Sequence, residues 1–157
     1  MLTIAEILPL TCVSTRLDAA TKSGALEQLA ELYQGSDIAI DRAKIVEVLT
    51  ERERLASTGV GSGVAIPHGR VADLPGVRCV LGVHKVGVDF EAIDGDPVHL
   101  FIGVLAPDGQ ASQHLKVLAR ISRLFRSPAL REALMSAESD EEAHRLLVKA
   151  DEQVSIV

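Results

Sequence analysis

Pro67-His68-Gly69 sets an imidazole between a residue of fixed backbone angle and one without a side chain. The proline restricts the approach to the histidine, and the glycine leaves room behind it for a bulky group. A neutral imidazole, with a pKa of ~6.5, is a competent nucleophile near neutral pH. A loop histidine alone is ordinary surface chemistry, so its neighbours decide. Upstream runs Ser57-Thr-Gly-Val-Gly-Ser-Gly-Val-Ala-Ile. Glycines let backbone N–H groups approach an anion, and Ser57 and Thr58 add hydroxyl donors, which makes Ser57, Thr58, Gly59 and Gly61 candidate anion-binding residues. The same glycines would also suit a tight turn. A dinucleotide fingerprint does not fit. It needs a helix directly after the glycines, whereas here an extended segment follows and ends in Pro67.

Two more residues stand where apolar ones are expected. At about 100° per residue, Arg52 falls on the stripe of Ile45, Val48 and Leu49. A cation there, at a helix end, either answers the helix dipole or meets an anion. His114 lies on the stripe of Val117, Leu118, Ile121, Leu124 and Phe125, in a first helical turn whose free N–H groups favour a negative ligand. Its bland alternative is a core histidine satisfied by a carbonyl. Together the features describe an anion site around a nucleophile. His84, His99 and His144 lack neighbouring motifs and read as structural or solvated. A zinc site on His68 and His114, as in a metal-dependent hydrolase, would lack H-E-x-x-H or Cys/His spacing.

The elements that must position these residues are readable in outline. Ser23 is expected to cap a helix with Leu26, Leu29, Ala30 and Tyr33 inward and Gly35 at its end. Asp41 would cap a second, running to about Arg54. Residues 57–69 read as a glycine-rich loop feeding a short extended run. Alternating apolar residues predict a strand over 77–85, Asp94-Gly95 a turn, and the apolar run 98–106 a central strand buried on both faces. Helices are expected from about Ala111 to Phe125, from Ser127-Pro128, and from Ser139 with Glu142 completing a capping box. Residues 151–157 are expected to fray as a flexible tail. Strands in the middle and helices at both ends give an α+β layering, with a sheet covered by helices.

Composition narrows the classes. The 157 residues, 47% apolar and 24% charged, suit one domain with a real core. A net charge of −6 and no Trp argue against a nucleic-acid surface. No run of 18 apolar residues occurs and the opening lacks a basic n-region, so a cytoplasmic protein without an export signal is expected. Cys12 and Cys79, far apart in sequence, read as reduced and structural.

Thr58-Gly-Val-Gly-Ser-Gly-Val-Ala-Ile-Pro-His-Gly-Arg70 resembles the active-site signature of type-2 enzyme IIA domains of the phosphoenolpyruvate-dependent phosphotransferase system. Arg52-Glu53-Arg54 is similar to that family's R-E-K, sixteen residues before the histidine, and His114, 46 residues after it, matches the second active-site histidine. Phe90-Glu-Ala-Ile-Asp-Gly-Asp-Pro-Val98 and Ile7-Leu8-Pro9 are similar to the nitrogen-regulatory branch. Arg54 stands where lysine is common and Ala56 where glycine is usual. The resemblance spans residues 3–150. It implies a three-layer α/β/α sandwich around a mixed sheet and a phosphohistidine at Nε2 of His68. Arg52, His114 and the 57–61 segment would contact the phosphoryl group, with no metal or cofactor. The implied donor is an HPr- or NPr-type phosphocarrier protein. A regulatory role, toward targets such as potassium-transport proteins or sensor kinases, is favoured by the absence of a fused permease. The alternative is a sugar-specific enzyme IIA passing phosphate to an enzyme IIB.

Overall fold

A computed structural model of the chain describes residues 2–155. The nine-residue apolar run is β6 (Val98–Ala106), and all but His99 of it is buried, as a central strand requires. On one side it pairs antiparallel with β5 (Arg78–Val88), with a register shift between Val83 and Val88. On the other it pairs parallel with two short strands in succession: β3 (Val64–Ala65) against Leu100 and Phe101, then β4 (His68–Arg70) against Val104 to Ala106. Ile66 and Pro67 separate them, because proline has no N–H for the ladder. β2 (Gly59–Gly61) adds antiparallel to β3, so the expected loop is a hairpin. Its turn runs through Gly61, Ser62 and Gly63, all at positive φ, where glycine is the strain-free residue. β1 (Val13–Ser14) pairs parallel with β5 at the far edge and was not expected. The sheet order is β1-β5-β6-β3-β2, with β4 also on β6.

Helices cover this mixed sheet as an α/β/α sandwich. α2 (Lys22–Leu32) packs on α3 (Arg42–Leu55) and on β5, and α3 also packs on β4. α4 (Ala111–Leu124) and α5 (Pro128–Met135) pack on β6, and both pack on α6 (Asp140–Ser155). A four-residue helix α1 (Ile4–Ile7) joins the α6 side. Asp41 caps α3 through the Ala43 N–H, and Ser127 caps α5 through Leu130 N–H with Pro128 in its first turn, as expected.

Three expectations need correction. Thr21, not Ser23, caps α2: its hydroxyl accepts the Gly24 N–H at 3.1 Å, and a 3-10 turn, Tyr33–Gly35, follows the helix. At α6, Ser139 accepts the Glu142 N–H at 3.1 Å, but the Glu142 carboxylate reaches the Glu138 N–H rather than that of Ser139. Residues 151–155 continue α6 instead of forming a tail. Asp151 is buried, accepts the Ile4 N–H at 2.8 Å and pairs with Arg120, which ties the last turn to α1 and α4. Residues 156 and 157 lie outside the described residues. Cys12 and Cys79 are buried free thiols, and burial pushes Cys12 up to about 11 and Cys79 higher still, so both are protonated core groups. Among the described residues no helix is long and apolar enough to cross a membrane.

Candidate functional site

Arg52, His68 and His114 come from three elements that meet where β6 leaves the sheet. Their chain positions explain the meeting. Pairing of His68 with Val104 sets the imidazole two residues from the end of β6, and α4, carrying His114, begins five residues beyond that end. Arg52 lies in the last turn of α3, which packs against β4. Gly69 allows this approach. A Cβ at that position would lie 2.3 Å from a Val48 methyl of α3. The side of β4 opposite Gly69 carries His68 and Arg70, since successive side chains alternate along a strand.

The tautomer of His68 follows from its partners. Nδ1 lies 2.7 Å from the Ile66 carbonyl oxygen, which can only accept, so the proton sits on Nδ1. Nε2 then carries the lone pair and accepts the Arg52 Nε–H at 3.3 Å. Arg52 is held in turn by donating from Nη1 to the Ala56 carbonyl at 2.9 Å. Partial burial holds His68 below the ordinary imidazole pKa of 6.5; the Ile66 carbonyl opposes this, the Arg52 charge adds to it, and Glu53 opposes it again. The half-buried imidazole is therefore neutral at neutral pH.

His114 stands edge-on to His68, with ring centroids 5.6 Å apart and planes at 74°. Only 5% exposed, it has a buried Nε2 with no hydrogen-bond partner, the one such side-chain atom among the described residues. Burial, then the neighbouring His68 and Arg70, lower its pKa to about 4. It too is neutral. An orphaned buried polar nitrogen costs about 1–3 kcal/mol, and with the ring proton on Nε2 a ligand oxygen would satisfy it. α4 starts at Gln110 without a side-chain cap and with no acidic residue in its first turn, so its N–H groups stay free for a negative ligand. A nucleophilic nitrogen, a guanidinium, an unpartnered imidazole and an open helix terminus thus converge.

The 57–61 segment is brought close in sequence but is used as scaffold. The Ser57 hydroxyl donates to the Phe90 carbonyl at 2.9 Å and accepts the Gly59 N–H at 3.0 Å. Thr58 gives both its N–H and its hydroxyl proton to Glu53. The α-carbon of Gly61 faces the Asp94 carboxylate, which an added Cβ would meet at 3.2 Å and which would repel an anion. Each hydroxyl has one proton and it is already placed, so the expectation of donors free at Ser57, Thr58 and Gly59 is corrected. His84, His99 and His144 each have a ring nitrogen against a backbone carbonyl, at 2.8, 2.9 and 2.9 Å, as structural histidines do. Among the described residues no three His, Cys, Asp or Glu side chains converge as a metal site, so His68 and His114 lack a third ligand.

Glu53 is the residue that sequence reasoning passed over. It is 8% exposed, receives Thr58 and pairs with Lys22 at 3.0 Å, joining the start of α2, the end of α3 and the approach to β2. Its burial next to Arg52 could have been inferred only from Thr58, five residues ahead. Glu53→Ala strands Lys22 and the Thr58 N–H, and we expect a loss of about 3 kcal/mol of stability in urea titration. A loss under about 1 kcal/mol would mean that the carboxylate does not hold this corner.

Comparison with known proteins identifies the family. Residues 6–150 match the family described as "Phosphoenolpyruvate-dependent sugar phosphotransferase system, EIIA 2". The chain is 35% identical to a nitrogen regulatory protein of Bradyrhizobium diazoefficiens, over 92% of this chain and 94% of that protein. It is 34% identical to the fructose-specific EIIA component of Haloferax volcanii, over 95% and 97%. It matches the fructose-specific EIIABC component of Bacillus subtilis at 31% identity over 88% of its own length, and spans 22% of that longer protein. Among solved structures, nitrogen regulatory protein IIA-Ntr from Neisseria meningitidis superposes with a TM-score of 0.85 and 36% identity, over 92% of this chain and 98% of that one. Family match, identity and fold agree: the chain belongs to the type-2 enzyme IIA family of the phosphoenolpyruvate-dependent sugar phosphotransferase system.

Proposed function

We propose that the protein is a cytoplasmic phosphoryl carrier that accepts its phosphoryl group on Nε2 of His68 from an HPr- or NPr-type phosphocarrier, and that it serves mainly as a nitrogen-branch regulator. The observation that carries this reading is the tautomer of His68, whose proton is committed to the Ile66 carbonyl and whose Nε2 lone pair faces Arg52 and the edge of His114. The Nε2 pair attacks phosphorus in line, the donor's N–P bond breaks, and its electrons return to the donor nitrogen. Nδ1 keeps its proton, so no base is required, and the Ile66 carbonyl supports the charge on the phosphorylated ring. Arg52 leaves Nε2 and donates to phosphoryl oxygens, and the His114 imidazole donates to another. The α4 terminus supplies a favourable field.

The nitrogen-regulatory reading rests on the 35% identity with the Bradyrhizobium protein and the close superposition on the Neisseria one. The 34% identity with a fructose-specific component favours the second reading, transfer onward to an enzyme IIB. Regulatory targets would then be read by charge, because the phosphoryl group adds about −1.5 to −2 at the mouth of the site. The test is intact-mass measurement after incubation with phosphoenolpyruvate, enzyme I and the carrier. One phosphoryl group mapped to His68 is expected; a label elsewhere, or none, refutes the reading. Loss of that label on adding an enzyme IIB would favour the sugar-specific branch.

A further inference from the structure

Arg70 has no function in the site as described so far. It is exposed, and among the described residues its guanidinium makes no hydrogen bond or ion pair. Six of the chain's ten other arginines are engaged: Arg42 with Glu31, Arg52 with Ala56, Arg54 with Glu51, Arg78 with Asp37, Arg120 with Asp151 and Arg131 with the Phe125 carbonyl. The backbone explains where Arg70 points. It lies two residues beyond His68 on β4, and alternation places both side chains on the face opposite Gly69, away from Val48 of α3. That is the face against which His114 stands, and the charge of Arg70 is one of those that disfavour a proton on His114. Its backbone is fixed by pairing with Ala106, so only the side chain is mobile. Arg52 approaches the nucleophile from α3, whereas Arg70 is placed to approach from the solvent side.

We infer that Arg70 is a second guanidinium clamp, which folds over the phosphoryl group once it sits on His68. The inference rests on the carrier reading and assigns within it a residue whose role begins after transfer. In the unphosphorylated protein an arginine beside a neutral pair of imidazoles has nothing to bind, which is why it lies open. A dianionic group on Nε2 gives it a partner, and the bidentate fork of a guanidinium matches two phosphoryl oxygens. The consequence is thermodynamic: Arg70 stabilises the phosphorylated form relative to the phosphorylated carrier.

The experiment measures the equilibrium of phosphoryl exchange between the phosphorylated carrier and wild type, Arg70→Gln or Arg70→Lys, by mass spectrometry of both proteins. Arg70→Gln is expected to shift the exchange about tenfold toward the carrier, the size of one charge-assisted contact at an exposed site. Arg70→Lys restores part of the shift, because the point charge remains but the fork is lost. The thermal midpoints of the unphosphorylated variants should match wild type, since the side chain holds nothing there, and the gap between variants should narrow in high salt. An exchange constant for Arg70→Gln equal to that of wild type, with His68 labelled in both, overturns the clamp and leaves the carrier reading standing. A wild-type protein that takes no label overturns the carrier reading, and the clamp with it.

Discussion

His68→Gln takes up no acid-labile phosphoryl group, whatever the donor concentration, and keeps its fold. Glutamine has a comparable polar reach but no nucleophilic lone pair on nitrogen, because its amide nitrogen is conjugated with its carbonyl. The side chain is half-buried at the rim, and the change leaves the β4–β6 pairing untouched, since that pairing is made by backbone groups. Circular dichroism and a cooperative urea transition would establish the fold, and intact mass would establish the absence of label. Label retained on a folded His68→Gln protein would place the acceptor elsewhere. The wild-type pH profile follows from the same nitrogen. Only neutral His68 has a free pair, and burial lowers its pKa, so the acid limb of the labelling rate should lie below the ~6.5 of a free imidazole.

His114→Leu produces the second large effect, in two opposite directions. Transfer to His68 at saturating donor should fall about 10²–10³-fold, the usual cost of removing one preorganised donor from a developing charge. Stability at pH 7 should meanwhile rise by about 1 kcal/mol, because leucine fills a similar volume without burying an unpartnered nitrogen. The pH dependence supplies a further check. In the unfolded chain this histidine takes its proton near 6.5, and in the folded protein near 4. Between those values the unfolded state binds more protons, so wild-type stability falls as pH drops through that window. His114→Leu removes this contribution and should flatten the acid side of the curve. Stopped-flow transfer and urea titrations at several pH values measure both effects. An undiminished transfer rate would remove His114 from the mechanism.

Residue type and spacing made much of the site legible. Arg52 and His114 were visible because a helix wheel turns a misplaced polar residue into a geometric statement, and both do converge on His68. The run 98–106 became a strand with those bounds, since a stretch broken only by His99 before Pro107 admits few alternatives. What stayed hidden depends on distant partners or on segments too short to carry a period. β1, at two residues, and β4, at three, exist only because β5 and β6 are there to pair with them. The Ser57 and Thr58 hydroxyls looked available because their acceptors are the Phe90 carbonyl, 33 residues on, and a carboxylate that reads as surface charge. Asp151 misled for a related reason. Near the end of the chain it resembled solvent-facing polarity, yet it meets Ile4 at the opposite end.

The bare backbone at residue 69 has an effect out of proportion to its chemistry. Contact between Val48 and that backbone sets how closely α3, and with it the Arg52 guanidinium, approaches His68. One added carbon, at 2.3 Å from the valine methyl, would have to retreat by more than an ångström to reach an ordinary 3.4 Å contact. The same displacement would stretch the 3.3 Å link from Arg52 to His68 past hydrogen-bond reach. The spacing between Arg52 and His68 is therefore gauged by an atom that is missing, at a position outside the hydrogen-bonded pair itself.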